Sequence, residues 1–152
     1  MRMNSDPRVL IIEDHDALRA IMFTVLRHQP LAVDTAASTD EALEKIAICD
    51  YALIVIDMSM AGKQAGAFLA SFREAKPEAT TFIIAVRDNA ETFIDPDIVD
   101  AVLNKPLEID TLADVVRECA IAIPPPEEPA THCPPAESEV RDAMDRGSSM
   151  PN

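Results

Sequence analysis

Three carboxylates and one ammonium in this chain each follow an apolar run. Glu13 and Asp14 come directly after Val9-Leu10-Ile11-Ile12, and Asp57 directly after Leu53-Ile54-Val55-Ile56. Lys105 ends a third stretch, Ala101-Val102-Leu103-Asn104. If these runs are strands of an open parallel sheet, the four side chains gather at the carboxyl ends, where such sheets bind ligands. An all-oxygen acidic set suits Mg²⁺, which keeps several waters and takes one or two carboxylates beside a phosphate. A metal held there neutralises and orients an incoming phosphoryl group. A carboxylate can then act as nucleophile and form an acyl phosphate. Lys105 supplies a point charge for a phosphoryl oxygen, and Pro106 fixes the chain just after it. Any one of these acids alone reads better as a turn or cap residue. The four together, each after its own strand, point to phosphoryl chemistry, which needs little beyond positioning and charge stabilisation.

The elements that must position them alternate in character. Val9–Ile12 is continuous, apolar and β-branched, the pattern of a strand buried on both faces. Asp16 is placed to cap a helix running to about His28, with Leu18, Ile21, Met22, Val25 and Leu26 on one face. Leu31–Ala36 is a weaker strand. Ser38-Thr-Asp-Glu41 is a capping box opening a helix with Ala42, Leu43 and Ile46 inward. Leu53–Ile56 is a third strand. Residues 65–75 form a helix packed through Phe68, Leu69 and Phe72. Phe82–Val86 and Ala101–Leu103 are further strands, and Ile109–Ala122 is a last amphipathic helix carrying Leu112, Val115, Val116 and Cys119. Strands alternating with helices predict a parallel sheet covered on both faces. The interval 87–100 has 14 residues, a proline at Pro96 and poor apolar spacing, so a full helix does not fit there.

Composition bounds the rest. The chain has 152 residues and a formal net charge of -14, which opposes direct binding to nucleic acid and suits a protein meeting basic partner surfaces. No apolar run approaches the roughly 18 residues of a membrane span, and the first residues lack a signal-peptide core, so a cytoplasmic protein without membrane insertion is the expectation. Cys49, Cys119 and Cys133 form neither a zinc spacing nor a disulfide framework, and Cys49 and Cys119 read as small packed residues. Residues 124–152 hold seven of the twelve prolines and no aromatic residue. The expected organisation is a flexible 1–7, a folded 8–122 and a Pro-rich acidic tail, 123–152. The tail is too poor in apolar surface to order itself, apart from a short helix possible at 137–146.

Residues 8–122 resemble the receiver domain of two-component response regulators. The resemblance rests on Val-Leu-Ile-Ile-Glu13-Asp14, Leu-Ile-Val-Ile-Asp57-Met-Ser-Met60 and Asn-Lys105-Pro106. It implies a flavodoxin-like, five-stranded parallel sheet of order 2-1-3-4-5. It implies that Asp57 accepts a phosphoryl group from a histidine kinase or a phosphotransfer protein. Asp14, Asp57 and the Ser59 backbone carbonyl would ligate Mg²⁺, with Glu13 acting through a metal-bound water and Lys105 contacting the phosphoryl group. The sequence also departs from the family pattern. The Ser or Thr that usually ends the fourth strand is Val86, followed by Arg87 in place of a small residue. The aromatic switch position of the fifth strand is Val102. The helix between the fourth and fifth strands is short or lost.

The resemblance therefore describes a phosphoacceptor without its usual conformational relay, and not an enzyme beyond self-phosphotransfer and autodephosphorylation. Output would be a protein contact, through helix one and the last helix or by way of Arg87. A phosphorylation-independent pseudo-receiver is the competing expectation. A metal-dependent phosphohydrolase is disfavoured, because it needs a carboxylate two residues after the nucleophile, where Ser59 stands.

Overall fold

A computed structural model of the chain describes residues 6–60, 64–88, 91–106, 108–123 and 133–148. Its strands are β1 (Arg8–Ile12), β2 (Ala32–Ala36), β3 (Leu53–Asp57), β4 (Phe82–Arg87) and β5 (Ala101–Asn104). Its helices are α1 (Asp16–Leu26), α2 (Thr39–Ile48), α3 (Gln64–Ala75), α4 (Ile109–Ala122) and α5 (Glu137–Ser148). All strand pairs are parallel, in the order β2-β1-β3-β4-β5. This is the doubly wound sheet expected from the sequence.

The continuous apolar runs are explained by burial on both sides. Successive strand residues point to opposite faces. Val9, Ile11, Leu53, Val55 and Ile84 pack with Met22 and Leu26 of α1 and with Leu112, Val116 and Ala120 of α4. Leu10, Ile12, Ile54, Ile56 and Ile83 pack with Ala42 and Ile46 of α2 and with Phe68, Leu69 and Phe72 of α3. Each such side chain contributes about 1.5–3 kcal/mol on full burial. Two helix faces differ from expectation: Ile21 and Leu43 point outward. On a helix the buried stripe is narrow, and Met22 with Leu26, and Ala42 with Ile46, fill it. The cap of α1 also differs. His15, not Asp16, is the N-cap, its Nδ1 accepting from the Leu18 amide at 3.2 Å, while Asp16 pairs with Arg19. The Ser38 cap of α2 is as read, accepting from the Glu41 amide.

Among the described residues between β4 and β5 there is no helix. The chain crosses by turns instead, with the Ile98 and Val99 amides donating to the Asp95 carbonyl. Arg73 of α3 donates to the carbonyls of Thr81 and Ile98, and Asp100 accepts from the Ile83 amide. Val102 shares a ladder row, and therefore a sheet face, with Ala85. No helix among the described residues of this connection covers it, and Val102 is 39% exposed.

The larger correction concerns the tail. The short helix read at 137–146 is present as α5, and it lies along the outer edge of β2 where a solvated tail was expected. Residues 124–132 and 149–152, including Pro124–Pro126, lie outside the described residues. Apolar content was the wrong criterion, because α5 docks mainly through polar groups. The Val33 amide donates to Ser138 Oγ at 2.8 Å, and the Thr35 amide to Glu137 Oε1 at 2.5 Å. Arg27 pairs with Asp142 and Asp145, and Arg8 donates to the Pro134 carbonyl. The cysteine reading is corrected with it: Cys49 and Cys133 form a disulfide spanning 84 positions, while Cys119 is free. No local spacing signals such a pair, since it exists only once the tail has docked.

Candidate functional site

β1 and β3 are adjacent, with Ile12 opposite Ile56, so the residues that follow them emerge side by side. Glu13, Asp14 and Asp57 each bring a carboxylate oxygen within 4.8 Å of the others. Glu13 and Asp57 are buried, and Asp14 is exposed at the mouth. Lys105 follows β5 and reaches across β4 to place its Nζ 3.1 Å from Asp57 Oδ2. Its own amide donates to the Arg87 carbonyl, which fixes the start of that reach, and the Lys105–Pro106 peptide is cis. The four residues singled out from the sequence are thus brought together.

The Ser59 side chain also belongs to this cluster, although the sequence reading assigned only its backbone carbonyl. Its amide and hydroxyl both donate to Asp57 Oδ1, at 2.9 and 2.5 Å, and Lys105 Nζ lies 3.3 Å from Ser59 Oγ. The signal was present: a hydroxyl two residues after an aspartate is the raw material of a local side-chain turn. Arg87 is not brought to Asp57. Its guanidinium donates to Asn104 Oδ1 at 2.8 Å and to the Thr92 carbonyl at 3.2 Å. Val86 stands directly across the ladder from Asp57, buried and without a donor, and its carbonyl accepts from the Met58 amide. The Thr81 hydroxyl is spent at the opposite end of β4, on the Tyr51 carbonyl.

The two buried acids divide their protonation. Burial pushes Glu13 up to about 7, reinforced by its hydrogen bond to Asp57 and by that residue's charge, with the His15 amide and Lys105 acting in the other direction. Burial also acts to raise Asp57, but hydrogen bonds from the Ser59 hydroxyl, Glu13, the Ser59 amide and Lys105 outweigh it and hold Asp57 below the ordinary carboxylate range. Below about pH 7 Glu13 is thus protonated beside an ionised Asp57. A raised folded-state value means that Glu13 stabilises the fold below its ordinary value of 4.5 and loses that contribution as pH rises to about 7. Urea midpoints measured in chelator should fall across this window for the wild type relative to Glu13→Gln. Parallel curves for the two proteins would contradict the assignment.

The donor set fits a hard divalent cation. All donors are oxygen, two of them buried and converging, with an exposed third carboxylate where solvent ligands enter.

A doubly wound 2-1-3-4-5 sheet with paired acids after β1, an aspartate ending β3 and a lysine after β5 defines a receiver domain. The model of the family described as response regulator receiver domain matches residues 9–117, and the chain belongs to that family. Among curated proteins, it is 26% identical over 90 residues to the transcriptional regulatory protein ResD of Bacillus subtilis, covering 59% of this chain and 38% of ResD. It is 38% identical over 53 residues to the transcriptional regulatory protein CutR of Streptomyces coelicolor, covering 35% of this chain and 24% of CutR. The chain thus matches well under half the length of these relatives. Among solved structures, it is similar to a CheY-like receiver domain protein from Methanospirillum hungatei, with TM-score 0.68 and 23% identity over 77% of this chain and 95% of that one. It is also similar to the response regulator TrrA of Thermotoga maritima, solved in complex with Mg²⁺-BeF, with TM-score 0.64 and 23% identity over 74% of this chain and 98% of that one. These structural likenesses establish the fold.

Proposed function

We propose that this protein accepts a phosphoryl group on Asp57 from a histidine kinase or phosphotransfer protein and passes the signal on by protein contact. The observation that carries this reading is Asp57 itself: buried, held ionised, and 3.1 Å from the Lys105 ammonium. In the transfer, the phosphorus–nitrogen bond of a phosphohistidine breaks and a phosphorus–oxygen bond to the Asp57 carboxylate forms. The imidazole nitrogen leaves with the bonding pair. Ser59 orients the nucleophile and Lys105 offsets charge on the phosphoryl oxygens. Asp14, Asp57 and the Ser59 carbonyl would hold Mg²⁺, with Glu13 behind a metal-bound water. When bound, Mg²⁺ supplies charge neutralisation and alignment of the phosphoryl group.

The readout in this proposal is not the usual one. Val86 has no hydroxyl to follow the phosphoryl group, Arg87 is committed to Asn104 and Thr92, and Val102 is exposed without an aromatic ring. Output is assigned to the surfaces of α1 and α4. The same three residues favour, as a second reading, a pseudo-receiver that binds its partner without phosphorylation. No helix among the described residues is long and apolar enough to cross a membrane. With a net charge of -14 the protein is proposed to act in the cytoplasm on protein partners and not on nucleic acid directly. The test is incubation with Mg²⁺ and acetyl phosphate, followed by assay for acid-stable, hydroxylamine-labile phosphate. Label present in the wild type and lost in Asp57→Ala is the expected result. Absence of label with acetyl phosphate and with any phosphorylated kinase would leave the pseudo-receiver reading standing.

A further inference from the structure

The edge of β2 is finished by side chains where a strand would otherwise pair. In this parallel strand the Val33 and Thr35 amides point away from β1, as an open edge would present them. Both are taken by α5, through Ser138 Oγ and Glu137 Oε1, and Ser138 is 2% exposed. The Thr35 carbonyl accepts from Lys45 Nζ, which also pairs with Glu137. The α5 N-terminus is anchored in turn, its Glu137 amide donating 2.8 Å to Asp34 Oδ1. These contacts belong to residues 133–148, which the chain joins to α4 only through the nine residues 124–132. The second connection is covalent: Cys49, at the end of α2, to Cys133, three residues before the first buried tail residue, Ala136. Their Cα atoms are 5.3 Å apart, within the usual span of a disulfide.

We propose that α5 is a removable cover for the β2 edge, latched by the Cys49–Cys133 disulfide and released by thiol reductants. Cys49 is buried and Cys133 half-buried, so attack is assigned to the Cys133 end. A thiolate of a low-molecular-weight thiol or a protein dithiol attacks Cys133 Sγ. The Cys49–Cys133 bond breaks, Cys49 leaves as a thiolate and takes up a proton, and a mixed disulfide remains on Cys133. A second reductant thiol resolves that mixed disulfide. The protein gains two electrons and two protons, and the reductant becomes a disulfide. Once the latch is open, the tail is held by hydrogen bonds from Val33, Thr35 and Arg8, by one to Asp34, and by three half-exposed ion pairs, which contribute little in water. The Val33 and Thr35 amides then exchange with solvent whenever α5 lifts. On the cytoplasmic reading proposed above, where thiols are kept reduced, such a disulfide is redox-responsive and not a permanent staple.

The test uses the full chain, oxidised or treated with dithiothreitol. Peptide mapping without reduction should find Cys49 linked to Cys133, and its absence from air-oxidised protein would overturn the proposal. Hydrogen exchange should rise at least tenfold at the Val33 and Thr35 amides on reduction, with the interior amides of β3 unchanged. The same rise is expected in Cys133→Ser without reductant. Ser138→Ala should raise exchange at Val33 while the disulfide remains intact, separating loss of the cover's hydrogen bond from loss of the latch. Equal protection of Val33 and Thr35 in oxidised and reduced protein would show that the disulfide latches nothing.

Discussion

Lys105→Met is expected to slow phosphorylation of Asp57 by acetyl phosphate roughly a hundredfold or more, the scale on which a preorganised electrostatic contact acts in such a site. Methionine keeps most of the length and the apolar stem and removes the ammonium with its charge and N–H donors. The loss has two sources. The ammonium that now lies 3.1 Å from Asp57 Oδ2 is no longer available to the phosphoryl oxygens. Its hold on Ser59 Oγ at 3.3 Å goes too, so the hydroxyl that orients Asp57 Oδ1 loses a neighbour. Lys105→Arg should recover only part of the rate, because a planar fork does not replace a compact point charge. The initial rate of hydroxylamine-labile phosphate formation measures this, with the urea midpoint as a control for folding. A rate within threefold of wild type would remove Lys105 from the mechanism.

Asp34→Ala is expected to destabilise the fold by about 3–5 kcal/mol, the usual cost of leaving a buried charge without its partner. Asp34 is buried on β2 and serves three groups. Its Oδ2 accepts from Arg8 Nε and Nη2 and from the Tyr51 hydroxyl, and its Oδ1 accepts from the Glu137 amide. The Tyr51 phenol is held strongly protonated, by burial first and then by the hydrogen bond and charge of Asp34. Removing the carboxylate leaves the Arg8 guanidinium over the Tyr51 ring without its counter-ion and leaves α5 without the anchor of its first amide. For a domain of this size the expected loss corresponds to a fall in Tm of about 6–20 °C. Tyr51→Phe removes one hydrogen bond from the network and should cost only about 1 kcal/mol. Calorimetry on the three proteins checks the order. A loss below about 1 kcal/mol for Asp34→Ala would mean that the network is not buried as described.

Much of this architecture was legible because it rests on local signals. The runs Val9–Ile12 and Leu53–Ile56 carry no polar residue, which only a strand covered on both faces tolerates, and each ends in the acid it delivers. Lys105 was legible for the same reason. The hydroxyl of Ser59 was missed because the family resemblance drew attention to its carbonyl. Ile21 and Leu43 were placed inward because apolar character was read as burial, which is a one-way rule. The tail was missed for a physical reason of another kind. Glu137, Ser138, Asp142 and Cys133 acquire their roles from Thr35, Val33, Arg27 and Cys49, about 84 to 115 positions away. No window of sequence holds both members of such a pair. The helix itself was legible at 137–146; its polar docking partners were not.

The covering of β2 also sets a limit on self-association. An open sheet has two edges, and a chain exposing both can recruit a neighbour on either side without end. Here α5 occupies one of them, and the other is β5, a strand of four residues with no strand beyond it among the described residues. Two copies meeting through β5 would use up every remaining edge, and a contact of that two-fold kind closes on itself. While α5 stays in place, the β2 edge is closed to such pairing and only the β5 edge is open to it.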